Sequence, residues 1–509
     1  MGWLVRGAMI LTMLAAPLRA EWRQARTDHF ILTIEDSEEG ARAFATRLER
    51  FDSAMRRLYG VADNPDAHYR PLAIYAMRQG GFEEICGCPG TVGYYVADVA
   101  QSFILVLHLP ASFDNDKVGS WNSQALLLHE YSHHFAASNF PVAYPYWFSE
   151  GFAEFNANTR FEEDGSLVIG FPANYRGAAL KSGTVPTPKQ LFDPEHAFSG
   201  DIELIYARGW LLTHYLMLDP QRRGQLAAYL AAINQGKPSL NAAQAAFGDL
   251  NRLNAELETY RRGLLLAPLR VPPSGKPIDV AVTTLSKAQA ADIPLRIQLL
   301  QGIAHSQRLG FALAASKNAA RFPDDAEAQA LWAEAGARNG RYDLAEKAAD
   351  AALAINPKSV EALDRKGLDA VKKAQDGKGD AAAWAAARAW YLKANRADPN
   401  AVMPLYLYYD SFLAAHTQPT PGAVKALMRA EVLAPESDDV RALLARQMLI
   451  EGDGASARRL LQPAAFTPHS GKKTGLARRL VDLIDAGRVE EAKAALIKSE
   501  ADAEKVDGD

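Results

Sequence analysis

The first third of the chain alternates between two hydrophobic periods. Residues 29–34 and 72–77 are short, apolar-rich runs typical of strands. Between them, residues 37–60 place apolar side chains along one helical face, which predicts an amphipathic helix. Residues 94–98 and 102–109 predict a further pair of strands. Together these elements indicate an α+β fold class that begins with a small sheet and continues into a helical half.

Beyond about residue 285 the chain becomes rich in alanine and helical in period, and it repeats. Prolines that end helix pairs recur at intervals of 33 to 42 residues, at Pro323, Pro357, Pro399, Pro435 and Pro468. The clearest copy covers residues 326–359 and contains Gly340 and Ala345, small residues that let paired helices pack closely. A 34-residue period is that of the tetratricopeptide repeat, and residues 290–500 resemble a degenerate array of roughly four to six such repeats. The array either docks a protein or peptide in its concave groove or is a helical scaffold packed on the first domain.

Two histidines stand four residues apart in the apolar run 126–135, at His129 and His133. On a helix such residues share a face, so both imidazoles can reach one zinc ion. Glu130 flanks that face and can accept a proton from a metal-bound water. His134 lies about 100° round the helix from His133, so it is not expected to be a ligand. The alternative is that both histidines are ordinary core residues.

A second helix is predicted over residues 145–155, with Glu150 and Glu154 four residues apart. Sixteen residues separate His133 from Glu150, and Pro141 and Pro145 lie between them. That distance allows one helix to end and another to run back alongside it. Glu150 then supplies a third ligand and leaves one zinc position open for water, which is typical of a catalytic site.

The first of these helices, followed by Trp147-Phe148-Ser149-Glu150-Gly151-Phe152-Ala153-Glu154, resembles the gluzincin metallopeptidases of the peptidase-MA-like group over residues 22–264. The resemblance implies that His129, His133 and Glu150 bind one Zn²⁺ ion and that Glu130 is the general base. It implies a role for Glu154 in hydrogen bonding a ligand histidine, although Glu154 also suits a helix surface.

The same resemblance implies a tyrosine or histidine donor for the oxyanion on a later helix. Residues 202–216 have a helical pattern, and Tyr206 is the candidate we favour; a core tyrosine is the alternative. Gluzincin substrates pair with the edge of the sheet, for which residues 94–96 and 103–107 are the candidates; a plain core strand is the default interpretation of either.

Residues 1–20 contain Arg6, an apolar stretch and Pro17-Leu18-Arg19-Ala20. This pattern predicts a cleavable signal peptide and a periplasmic or secreted protein, with an uncleaved anchor as the alternative. No other stretch is apolar for long enough to span a membrane. The net charge of −4 and the lack of a basic run argue against nucleic acid as a partner. The two cysteines, Cys86 and Cys88, either pair locally or remain free thiols.

We therefore predict five segments: a signal peptide over residues 1–20, a gluzincin-like metallopeptidase domain over 21–264, a linker over 265–289 with one strand at 278–283, an all-α repeat solenoid over 290–500, and an acidic tail over 501–509. The predicted function is zinc-dependent hydrolysis of peptide bonds, with the array recruiting a protein substrate or partner. The alternative is a non-catalytic binding scaffold whose zinc site is vestigial or structural. Glu130 favours the hydrolase, because zinc binding alone does not require it.

Overall fold

The computed structural model describes residues 21–62, 70–87, 92–108, 122–181, 185–193, 199–263, 268–466 and 471–507. The fold is α+β, with a small mixed sheet near the start and a helical C-terminal half. The strands are β1 (Trp22–Arg26), β2 (Phe30–Glu35), β3 (Leu72–Met77), β4 (Gly93–Val96), β5 (Phe103–Leu107), β6 (Thr159–Phe161), β7 (Leu167–Ile169), β8 (Leu269–Val271) and β9 (Ala281–Thr284).

Ten helices accompany these strands in the described part of the α+β domain. They are α1 (Glu38–Tyr59), α2 (Gln79–Cys86), α3 (Ser123–Asn139), α4 (Tyr146–Ala157), α5 (Gly177–Lys181), α6 (Pro188–Phe192), α7 (Ile202–Leu218), α8 (Gln225–Asn234), α9 (Ser239–Phe247) and α10 (Leu250–Arg262).

Twelve further helices form the C-terminal half within the described residues. They are α11 (Lys287–Gln301), α12 (Arg308–Arg321), α13 (Ala326–Arg338), α14 (Tyr342–Ile355), α15 (Val360–Asp376), α16 (Ala381–Ala397), α17 (Val402–Ala414), α18 (Pro421–Leu433), α19 (Asp438–Glu451), α20 (Gly454–Phe466), α21 (Gly471–Asp485) and α22 (Val489–Asp507). The last helix runs into the predicted acidic tail, so residues 501–507 are helical.

The larger sheet has the strand order β4–β5–β3–β2–β1–β9. Strands β2, β3 and β5 are parallel, and the outer pairings are antiparallel. Both faces of the central strands are covered: Ile74 and Ala76 face the main core with α1, whereas Ala73 and Met77 pack with α2 and α11. This double covering explains why the β3 segment is a continuous apolar run rather than an alternating one.

Strand β4 is at the edge of the sheet, on the side nearest α3. Strand β5 lies between β4 and β3, and both of its edges are hydrogen-bonded. The expectation that residues 103–107 could bind a substrate strand is therefore wrong, because no backbone groups remain for another strand. Residues 94–96 belong to β4, which pairs only with β5 among the described strands.

The segment predicted as a linker contains two strands that pair with strands of the first domain. Strand β8 pairs with β7 in a separate three-stranded sheet, and β9 pairs with β1, with Arg23 opposite Thr284. Two strands are present where one was expected, and the second covers residues 281–284 rather than 278–283. Since β8 and β9 each find a partner far away in the sequence, residues 265–289 do not form a free connection between two units; residues 264–267 lie outside the described part.

The helical array packs back onto the α+β domain. Ile293 and Ile297 of α11 cover one face of the sheet, and Val99, in the turn between β4 and β5, lies among the apolar side chains of α17 to α19. Ser102 of the same turn donates a hydrogen bond of 2.7 Å to the buried Glu436. Where the array meets the sheet, its contacts are therefore those of a helical scaffold packed on the first domain.

Several expectations fall on parts of the chain that are not described. The predicted signal peptide, residues 1–20, is one of them. Cys86 is disulfide-bonded, while Cys88 lies outside the described residues. Among the described helices, none combines the length and the apolar character needed to cross a membrane.

Candidate metal centre

Helix α3 carries the two histidines and is buried on most of its surface. Leu126, Leu127, Leu128 and Phe135 are all at most 4% exposed, and the polar Gln124, His129 and Ser132 are buried with them. Asn122 caps its first turn by accepting a hydrogen bond from the backbone of Ala125, 2.9 Å away.

Tyr131 fixes the rotation of α3. Its hydroxyl donates to Asp52 of α1, and Arg56 donates to the other oxygen of Asp52 at 2.7 Å. Because Tyr131 is two residues after His129, holding the tyrosine against α1 turns His129 and His133 towards α4.

Helix α4 begins after Pro145 and runs antiparallel to α3. Ser149 approaches His133, whereas Glu154, about one turn later, approaches His129, one turn earlier on α3. The antiparallel pair predicted from the prolines in the intervening segment is therefore present. It brings Glu150 between the two imidazoles.

Three ligand atoms meet at the centre of this helix pair. The Nε2 atoms of His129 and His133 lie 3.2 Å apart. Glu150 Oε2 lies 3.3 Å from the first nitrogen and 3.5 Å from the second. The structure thus brings together His129, His133 and Glu150, the ligands expected from the sequence.

The triangle has the size that zinc requires. Tetrahedral zinc with bonds of about 2.0–2.1 Å places neighbouring ligand atoms about 3.3–3.4 Å apart, close to the three distances observed. Glu150 Oε2 is buried and has no hydrogen-bond partner among the described residues, which is expected of an atom that serves as a ligand. No fourth histidine, cysteine or carboxylate joins the group within the described part of the chain. The donor set therefore fits a zinc ion with one position left for water.

The electrostatics of the three ligand groups favour a cation. Burial lowers the pKa of His129, but contact with Glu150 and the charges of Glu154 and Glu130 outweigh it and raise that pKa to about 9. Burial raises the pKa of Glu150, yet the charge of His133 and contact with His129 hold it far below its usual value. Without metal the site thus attracts a proton, and a divalent ion satisfies the same negative field.

The outer nitrogens of both histidines face polar groups. Ser149 Oγ lies 3.3 Å from His133 Nδ1, which leaves Nε2 for the metal. Glu154 Oε1 lies 3.7 Å from His129 Nδ1, beyond hydrogen-bond distance. Glu154 is fully buried, so a place on the helix surface is wrong for it. Its hydrogen bonds come instead from Tyr175 and Arg176.

Tyr206, at the start of α7, lies over His129. The two rings are stacked with centroids 6.1 Å apart, and the Tyr206 hydroxyl shares a hydrogen bond of 3.1 Å with Tyr146. Burial and the charge of Glu150 raise the pKa of Tyr206 well above its usual value. The hydroxyl therefore keeps its proton at neutral pH and remains a hydrogen-bond donor.

Glu130 and His134 occupy different surroundings on α3. Glu130 is half-buried, and its charge acts on both His129 and Tyr206. His134 points away from the metal ligands, with Nδ1 3.1 Å from the hydroxyl of Tyr95, as expected for a residue about 100° from His133.

Sequence patterns missed the groups that surround the ligands, namely Ser149, Tyr146, Tyr175 and Arg176. Ser149 stands inside the quoted motif, where its place beside a ligand glutamate was a usable signal. Tyr175 and Arg176 lie in a 3₁₀ turn, Asn174–Arg176, with no period or spacing to mark them.

A second group of possible ligands is His29, Glu49 and Asp52. His29 Nδ1 lies 2.8 Å from Glu49, and Asp52 is bonded by both Arg56 and Tyr131. Since the buried Arg56 already pairs with Asp52, this group is an ion-pair network that supports α3.

No protein-family model matches the chain, and no curated protein matches it either.

Proposed function

We propose that the protein is a zinc-dependent peptidase, a hydrolase that cleaves peptide bonds. The observation that carries the proposal is the triangle of His129, His133 and Glu150, whose spacing suits zinc and whose fourth corner has no protein ligand among the described residues. When bound there, zinc supplies a Lewis acid that activates water and polarises a carbonyl group.

Two further residues have side chains that can take part in the hydrolysis. Glu130 accepts a proton from the attacking water and passes it to the leaving amine. Tyr206 is protonated at neutral pH and donates a hydrogen bond to the carbonyl oxygen as negative charge develops there. Tyr206 stacks on His129, and the charge of Glu130 acts on both of these residues, which supports the two roles.

A substrate chain in an extended conformation suits the exposed edge of β4. Residues 93–96 are half-buried, and their outer edge pairs with no described strand. Backbone pairing there would hold a peptide beside α3 with little dependence on its side chains. We propose a protein or peptide as substrate, in the periplasm or outside the cell, and a role for the array in recruiting it.

The test compares Glu130→Gln with wild type for zinc content and for hydrolysis of a denatured protein. We expect Glu130→Gln to keep its zinc and to lose about 10²–10⁴-fold in rate, because general base catalysis is removed. His129→Ala should lose both zinc and activity. His134→Ala is the matched control: it removes a half-buried histidine from the same helix and should keep its zinc.

Two outcomes would count against the proposal. Zinc content unchanged in His129→Ala would show that the metal binds elsewhere. Wild type that holds zinc but cleaves no denatured protein would favour the alternative, a binding scaffold with a structural zinc site.

A further inference from the structure

Arg176 is a buried guanidinium beside the metal centre that the mechanism above does not use. It ends the 3₁₀ turn Asn174–Arg176 and is 7% exposed. Burying a charge of this kind is unfavourable unless it is paired, so its partners indicate its role. These partners include Glu154, Glu203 and the rings of Tyr175 and Tyr206.

Through Glu154, Arg176 is connected to the Nδ1 side of the ligand His129. Arg176 donates from Nε at 3.0 Å and from Nη2 at 2.6 Å, both to Glu154 Oε1. That same oxygen is the one 3.7 Å from His129 Nδ1. Two charged donors on this oxygen, together with Tyr175 donating to the other oxygen, hold the carboxylate in position.

A second contact of Arg176 is with Tyr206. The guanidinium carbon lies 5.0 Å from the ring centroid of Tyr206, and the other end of the group pairs with Glu203 of α7. Tyr206 thus contacts both Arg176 and the ring of the ligand His129. A cation over the ring face favours this orientation of the tyrosine.

We propose that Arg176 is a positioning residue for the metal centre. It holds Glu154 beside His129 and Tyr206 over the ligands, and so couples the zinc-binding half of the site to the hydrogen-bond donor. The part that concerns Tyr206 rests on the proposed function, whereas the part that concerns His129 requires only that zinc binds.

The experiment measures zinc affinity by competition with a chelator, together with kcat, KM and Tm, for Arg176→Gln and Arg176→Lys. Without the two charged donors, Glu154 no longer stays beside His129, and we expect zinc affinity to fall about 10–100-fold in Arg176→Gln. We expect kcat to fall at least as much, with KM changing less than threefold. Arg176→Lys keeps the charge but not the two guanidinium donors and should lie between Arg176→Gln and wild type.

Arg208→Gln is the matched control. Arg208 is a fully buried arginine on α7 that pairs with Glu258 and Asn254, away from the ligands. Its loss should lower Tm at least as much as Arg176→Gln and leave zinc affinity unchanged. If Arg208→Gln and Arg176→Gln lose zinc equally, Arg176 acts only through stability and the inference is wrong.

A double variant separates the two roles. If Arg176 acts on the reaction through Tyr206, Arg176→Gln should lower kcat much less in a Tyr206→Phe background than in wild type. If the losses in kcat from Arg176→Gln and Tyr206→Phe are fully additive, Arg176 does not act through Tyr206. Wild type without hydrolytic activity would remove the proposed function, while the zinc affinities would still decide whether Arg176 supports His129. Unchanged affinity in Arg176→Gln would show that it does not.

Discussion

At the scale of single residues, helical spacing accounts for what the sequence could predict. The geometry of one helix predicts His129, Glu130 and His133. Two prolines indicate that this helix ends and a second one begins, and the second helix carries Glu150. Arg176 and Tyr146 could not be found in this way. They reach the centre from other elements, and only the packing of those elements brings them near Glu154 and Tyr206.

Tyr206 gives the first prediction at this scale. Tyr206→Phe removes the hydroxyl and keeps the ring that stacks on His129, so zinc affinity should not change. We expect kcat to fall about 10²–10³-fold, as when one donor to a developing oxyanion is lost, with KM nearly constant. Steady-state kinetics on a peptide and a zinc competition assay measure both quantities.

Tyr146→Phe is the control for that variant. It removes the hydrogen bond to Tyr206 but leaves the Tyr206 hydroxyl in place, so a loss of no more than about tenfold is expected from one neutral hydrogen bond. Equal losses in both variants would mean that the hydroxyl pair, rather than Tyr206, matters to the rate.

At the scale of elements, the position of α7 depends on two helical glycines. A Cβ added at Gly151 of α4 would overlap with the backbone of Gly209 on α7, and a Cβ added at Gly209 would overlap with the carbonyl of Trp147. The two helices therefore approach at backbone distance. This contact packs α7, which carries Tyr206, against α4, which carries Glu150. The two glycines in helical segments did not reveal it, since such glycines more often mark a helix end.

Gly209→Ala tests that close approach. The methyl group forces α4 and α7 apart, so we expect a loss of about 1–3 kcal/mol in the free energy of unfolding, as in overpacked cores. Because Glu150 moves with α4, zinc affinity should fall as well. Thermal or denaturant unfolding and zinc competition provide the two measurements.

Gly310→Ala in α12 is the control for Gly209→Ala. Nothing lies within 4 Å of a Cβ at Gly310, so there the same change should stabilise the protein by up to about 1 kcal/mol through helix propensity alone. If Gly209→Ala behaved like Gly310→Ala, the helices would not be in contact through their backbones.

At the scale of the whole molecule, the repeat period predicted an all-α array and left open whether it packs on the first domain; the structure joins the two halves. The period was visible because each helix pair obeys local rules. The joining was not visible, since β1 and β9 lie at distant points of the chain and their pairing leaves no local signal. The array holds the turn between β4 and β5 through Val99 and the Ser102–Glu436 hydrogen bond.

These contacts connect the array to the strand proposed to pair with substrate. Tyr94 of β4 receives a hydrogen bond from Gln301 at the end of α11, and Ser102, in the turn that follows β4, donates one to Glu436. The array therefore contacts both the edge strand and the turn beside it, and these contacts restrain the strand.

Glu436→Ala is expected to loosen that restraint while the zinc site stays intact. Losing a buried, charge-assisted hydrogen bond corresponds to about 1.5–3 kcal/mol, and if part of this holds β4 in place, KM for an extended peptide should rise about tenfold with zinc content unchanged. Hydrogen exchange at the amides of residues 93–96 should become faster. Glu431→Ala breaks an ion pair with Arg459 inside the array and serves as the control, for which neither quantity should change. Slow exchange at β4 in Glu436→Ala would mean that the sheet alone fixes the edge strand, and that the array is joined to the domain without acting on its substrate.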